Sequence, residues 1–220
     1  MLAGLNWDVA LLQEAPPRWF RPLAASLRAS GALALTSRNL LPPLQRRLAD
    51  WNPDLLASWE GGSNQLLVRG GRLVEVRRMT LTRVPERRRM LWVRVELPAA
   101  RICVANLHAS AAVPVNAARE VEAAAEQALA WAGADPLVFG GDMNLRPARN
   151  PEPFAALRDR FGLAAPTARD AIDHVLARGL ETVEPARRLK PERREVPGPG
   201  GRPLRLSDHT PVSAAFALAA

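Results

Sequence analysis

The sequence predicts an α/β fold, and two observations predict it. Short apolar runs alternate with helical segments along the chain, and the residues suited to chemistry stand at the ends of those runs rather than inside them. A length of 220 residues is enough to bury a substantial core and fits one large domain over residues 1–220 better than two small ones.

The elements follow in chain order. Asp8 to Leu12 (DVALL) reads as a buried strand, the residues after Pro16-Pro17 through Leu27 as a helix, and Ala32 to Thr36 as a second strand. After Leu55 to Ser58 comes a strand-rich centre: Gln65 to Val68, Leu73 to Leu81, Met90 to Leu97 and Arg101 to Leu107. Several of these alternate apolar and charged side chains, as in LWVRVEL, so one face of the sheet is expected to be only partly covered. Pro114 to about Trp131 reads as the clearest helix, with proline in its first turn, Gly133 at its end and Val121, Ala125 and Leu129 on one face. Strands resume at Pro136 to Phe139, Ile172 to Leu176, Glu181 to Leu189 and Pro211 to Phe216. Pro197 to Pro203 (PGPGGRP) reads as a flexible loop between strands.

Composition narrows the setting. No stretch approaches the roughly 18 uninterrupted apolar residues of a membrane span, and the opening MLAGLNWDVALLQEAPP has no basic region ahead of a long apolar run. Cys103 is the only cysteine, which excludes an intrachain disulfide and a cysteine-based zinc site. A cytoplasmic location is the expectation. The formal net charge of +8 suits a polyanionic partner. Almost all of the basic residues are arginine, Lys190 being the one lysine, and a solvated basic surface accounts for the total about equally well.

Five places carry candidate chemistry, each following or interrupting an apolar run: Gln13-Glu14, His108, Asp142-Met143-Asn144, Asp173-His174 and Asp208-His209. Loops at strand ends collect functional groups because the sheet fixes them and the turn exposes them. Carboxylate and amide oxygens suit a hard divalent cation such as Mg²⁺ (Mn²⁺ being the alternative), and histidine suits proton transfer or contact with a phosphoryl oxygen.

The segments DVALLQE, ICVANLHAS, VFGGDMN, AIDHVLARG and LSDHTPV, spread over residues 8 to 217, resemble in order the motifs of the endonuclease/exonuclease/phosphatase superfamily, the deoxyribonuclease-I-like proteins. The resemblance implies a four-layer α/β/β/α sandwich with the active site at one edge. It implies metal ligation by Glu14, and by Asp208 in the metal region. Asp142 and Asn144 would orient the attacking water and hold a phosphoryl oxygen or the metal. His209 would be the catalytic histidine, oriented by Asp173, and His108 would contact a non-bridging or leaving oxygen, although the family's usual Thr-His is Leu107-His108 here. His174 has no chemical duty in this scheme. Arg38, in Ser37-Arg38, resembles a substrate-binding element; Glu86 is a candidate partner for His108, and Arg87 to Arg89 for substrate phosphates.

One feature departs from the family pattern. Its opening strand, which carries a Trp-Asn or similar pair, would precede the QE strand, yet that strand already begins near residue 8; Trp51-Asn52 has the letters but follows it. The chain is therefore expected to lack the first thirty or so residues of the domain, the usual strand-plus-helix length being about that. The implied function is Mg²⁺-dependent hydrolysis of phosphodiesters, foremost as a nuclease. The alternatives are a phosphatase or phosphodiesterase acting on a small or lipid ester, and an impaired member that only binds nucleic acid.

Overall fold

The computed structural model describes residues 2–36, 61–98, 100–164 and 167–218. The expected strand at Leu55 to Ser58, Ser37-Arg38 and Trp51-Asn52 all lie outside these residues.

Strand β1 (Val9–Ala15) pairs antiparallel with β3 (Ser63–Val68), and β3 pairs with β2 (Ser30–Leu35), giving a small sheet ordered β1-β3-β2. A second sheet runs β4-β5-β6-β7-β8, from β4 (Arg72–Thr82) and β5 (Arg88–Leu97) through β6 (Ala100–His108) and β7 (Leu137–Asp142) to β8 (Asp173–Arg178). Only β6 and β7 pair in parallel within it, and α2 (Pro114–Ala132) makes their crossover. The antiparallel pair β9 (Leu180–Arg188) and β12 (Val212–Leu218) packs against β8.

Alternating burial explains the layers. On β5 and β6 the residues Leu91, Val93, Val95, Ile102 and Val104 meet Ala32, Ala34, Leu66 and Val68 between the two sheets. Their neighbours Met90, Trp92, Cys103, Ala105 and Leu107 turn outward to the alanine face of α2 and to Phe154 and Leu157 of α3 (Pro151–Phe161). On the opposite side α1 (Phe20–Leu27) covers Ala10 and Leu67 with Phe20, Leu23 and Leu27. The result is the four-layer α/β/β/α sandwich.

Two elements were not legible as such. Helix α3 has its apolar positions in a short segment with two prolines in its first turn. The PGPGGRP stretch is no loose loop: β10 (Glu195–Pro197) and β11 (Pro203–Arg205) form a hairpin, closed by a hydrogen bond from Gly198 N to Arg202 O of 2.9 Å, and the glycines supply its positive-φ turn.

The GGD sequence is a steric requirement. Gly141 has φ of 131°, and a Cβ there would sit 2.0 Å from Leu107 O on the neighbouring strand. Only glycine lets β7 approach β6 at this point. Gly162, the left-handed cap of α3, differs because a Cβ added there would meet nothing nearer than an Arg178 side-chain carbon at 3.7 Å. Gly162→Ala should therefore cost about 1–2 kcal/mol, the left-handed penalty alone, whereas Gly141→Ala should cost at least about 3 kcal/mol by adding overpacking and displacement of β6. Urea unfolding of both variants tests this, and equal midpoints would contradict it.

Candidate active site

The ladder itself assembles the site. His108 ends β6 opposite Asp142 at the end of β7, and Asp142 in turn lies opposite Asp173 at the start of β8. Three separate stretches of sequence thus contribute to one rung of the sheet, with side chains about one strand spacing apart. The ligand atoms of Asp142, Asp173 and His209 all lie within 4.8 Å of one another, the one such group among the described residues.

His209 arrives from the segment before β12, and its Nδ1 lies 3.0 Å from Asp173 Oδ2 and 3.2 Å from Oδ1. With Nδ1–H donating to the carboxylate, Nε2 is the ring atom left to face a substrate. Burial opposes charge on this ring, but attraction and hydrogen bonding to Asp173, with help from Asp142 and Asp208, outweigh it and raise its pKa above the ordinary value. Asp142 is pushed up to about 6, chiefly by burial and next by the like charge of Asp173; its hydrogen bond from Asn144 N and the nearby His209 pull the other way.

Asn144 adopts φ of 51°, a left-handed turn that lets its backbone N donate to Asp142 Oδ1 at 2.9 Å while its Nδ2 donates to Ala109 O at 2.9 Å. Glu14 also has a positive φ, 54°, at the bulge where the β1–β3 register shifts. The bulge re-aims its largely exposed carboxylate toward His108, with Oε1 3.8 Å from Nδ1. Asp208 stands apart: its side chain is 90% exposed and 3.9 Å from His209 Nε2. Arg38 lies outside the described residues.

His108 has a different neighbour from the one expected. Glu86 pairs with Arg88 at 2.8 Å, and it is Arg88, itself buried, that approaches the ring, with Nη1 2.9 Å from Nδ1 and 3.1 Å from Nε2. With Nδ1 accepting from Arg88, Nε2 carries the ring proton and lies 3.5 Å from Asp142 Oδ2. Burial, then the charge of Arg88, push His108 down to about 3, so the ring is neutral.

Three residues have positioning roles that escaped the sequence reading. Asn106 ties the sheets together beneath the site, donating to Leu12 O at 3.0 Å and Gln65 O at 2.8 Å and accepting from Gln13 Nε2 at 2.6 Å. Glu120 of α2 receives Ser110 N and Oγ, both at 2.7 Å, and so fixes the loop after His108. Arg88 is the third. Asn106 was the most discoverable, an amide at an inward position of an otherwise apolar strand. His174 is fully occupied in the fold: Nδ1 accepts from Thr167 N, and Nε2–H is shared between Leu145 O and Ala171 O.

Carboxylates and imidazoles thus converge on one edge of a four-layer sandwich. The model of the Endonuclease/Exonuclease/phosphatase family matches residues 1–209, and the chain belongs to that family, whose members are hydrolases acting on phosphate esters. Among similar solved structures is an endonuclease/exonuclease/phosphatase family protein from Bacteroides thetaiotaomicron (TM-score 0.68, 13% identity, 98% of this chain and 85% of that chain). A second is the mannosyl-6-phosphatase Bt3783 of the same organism (0.67, 14%, 96% and 86%). A third is D. rerio TDP2 complexed with single strand DNA product (0.59, 14%, 95% and 85%). No curated protein matches the sequence.

The depressed pKa of His108 has a consequence for stability. The unfolded chain takes up a proton near pH 6.5 and the folded ring does so only near pH 3, so this ring's contribution is complete above pH 6.5 and is lost as pH falls toward 3. The stability difference between wild type and His108→Gln should therefore move in favour of the variant across that window. A pH-independent difference in urea midpoints would contradict it.

Proposed function

We propose that the chain is a divalent-cation-dependent phosphodiesterase, foremost a nuclease, using Mg²⁺ or Mn²⁺ at the end of the β6–β7–β8 rung. The observation that carries this reading is the convergence of Asp142, Asp173 and His209 on one sheet edge, with Glu14 and a neutral His108 beside them.

The donor set fits a hard cation. Two carboxylates lie close enough to repel each other, one of them raised to about 6, with Glu14 adding a third negative charge that acts on Asp142. Glu14 and Asp142 would hold the ion, Asp173 being engaged by His209. Once bound it would supply Lewis-acid polarisation of a phosphoryl oxygen and charge neutralisation.

The remaining work falls to the chain's own groups. His209 accepts the proton of the attacking water at Nε2, while Asp173 holds the ring and stabilises the imidazolium. The new bond forms from water oxygen to phosphorus, the ester P–O bond breaks, and the alkoxide leaves. His108 Nε2–H offers a neutral donor, and the second N–H of the Asn144 amide, anchored on Ala109 O, offers another to a phosphoryl oxygen. For the substrate, the net charge of +8 favours a polyanion, and a relative of the same fold was seen with a DNA strand.

His209→Ala and Asp142→Asn should each lower diester hydrolysis about a hundredfold or more with folding retained, the scale of a lost acid–base or electrostatic group. The assay is bis-p-nitrophenyl phosphate, plasmid DNA and RNA with Mg²⁺ or Mn²⁺; activity within a few-fold of wild type in either folded variant removes the assignment. Glu14→Gln should instead shift the metal titration, so that much of the lost rate returns at higher Mg²⁺. Superimposable titrations would take Glu14 out of the ligand set.

A further inference from the structure

Two hairpins flank the site from opposite ends of the rung. The β4–β5 turn, residues 83–87, meets the site through Arg88, which contacts His108. The β10–β11 hairpin leads directly into Ser207, Asp208 and His209, and Arg194 at its base donates to the main-chain oxygen of Asp208. Leu206 N closes the base on Arg194 O at 2.9 Å. From β5 to β8 there are three strand intervals, about 14 Å.

Both flanks are arginine-rich. At the first, Arg89 is half-buried, its Nε has no hydrogen-bond partner among the described residues, and burial and the like charges of Arg87, Arg78 and Arg83 lower its pKa. Guanidinium groups crowded in this way repel one another, and an anion would relieve the repulsion. At the second, Arg193, Arg202 and Arg205 are exposed, and residues 190–206 hold five basic and two acidic side chains. Each flank also exposes apolar groups: Val84 is 78% exposed, Leu204 51% and Leu206 50%.

We propose that these two hairpins form the ends of a polynucleotide track, with one strand laid across the sheet edge, its phosphates on the arginines of both flanks and its bases against Val84, Leu204 and Leu206. This rests on the nuclease reading above and extends it from the scissile phosphate to the neighbouring nucleotides. The polymer is favoured over a free monoester because a single phosphate reaches one flank only, and over a lipid surface because the charge is divided between two flanks with the acidic site between them.

Binding separates the track from the chemistry. A fluorescein-labelled ten-nucleotide single strand, titrated in EDTA at several salt concentrations, should bind wild type with a steep salt slope. Arg202→Ala/Arg205→Ala and Arg83→Ala/Arg89→Gln should each weaken it at least about tenfold and reduce the slope by about 1.4, the loss of two contacts to single-stranded phosphate. With Mg²⁺, the ratio of kcat/KM on the strand to that on bis-p-nitrophenyl phosphate should fall by a similar factor in both variants. Binding with these slopes but no hydrolysis of either substrate would leave the track standing and end the nuclease reading. Hydrolysis of the small diester with no binding of the strand would overturn the track and leave the phosphoesterase reading intact. Slopes unchanged in both variants, checked as folded by urea midpoint, or binding of anionic phospholipid vesicles in place of the strand, would also overturn it.

Discussion

Everything at the sheet edge follows from the register between β6 and β7. Parallel pairing sets His108 beside Asp142, and β8 returns antiparallel to set Asp173 beside Asp142. A slip of one residue would turn every side chain of a strand to its other face, sending His108 into the helix layer and Leu107 into the site. Gly141 allows the close approach, Asn106 locks β6 to β1 and β3 from below, and Glu120 ties down the chain beyond His108. The apolar layers on both sides of the sheet make that register the stable one.

The same packing sets the electrostatics. Asp142 and His108 are both buried at the mouth of the sandwich, yet burial acts on them in opposite senses, raising the acid to about 6 and lowering the base to about 3. His209 is half-exposed and paired, and moves upward. One edge thus holds a carboxylate that benefits from a cation, a neutral imidazole that can donate, and a second imidazole that takes up a proton readily. His174 shows the contrast: equally a histidine beside an aspartate, it has both ring nitrogens engaged with backbone groups and stacks edge-on with Phe154.

Much of this was legible in the sequence because the strands are short apolar runs and the polar groups interrupt them. Strand β7 and the Asp142-Met143-Asn144 turn could be read from VFGGDMN, and the long helix α2 from its proline, glycine and alanine face. What was not legible depends on residues far apart in sequence. Arg88 looks like one arginine among three until β5 is placed beside β6, and Glu86, the residue expected on His108, turns out to hold that arginine instead. Asn106 and Glu120 look ordinary until their partners, 94 and 10 residues away, are known. The PGPGGRP stretch reads as a flexible loop because a three-residue strand on each side carries no periodicity, and only the cross-strand register from Glu195 to Arg205 reveals the hairpin.

If Glu14 and Asp142 hold the cation, as proposed, the Asp173–His209 pair is left free to move a proton. A crystal grown with Mn²⁺ and measured for anomalous scattering tests it directly. A peak is expected within ligand distance of the Glu14 and Asp142 carboxylates, with His209 Nε2 outside that sphere. A peak bound through His209 Nε2 and Asp173, or none at this sheet edge under saturating Mn²⁺, would contradict it.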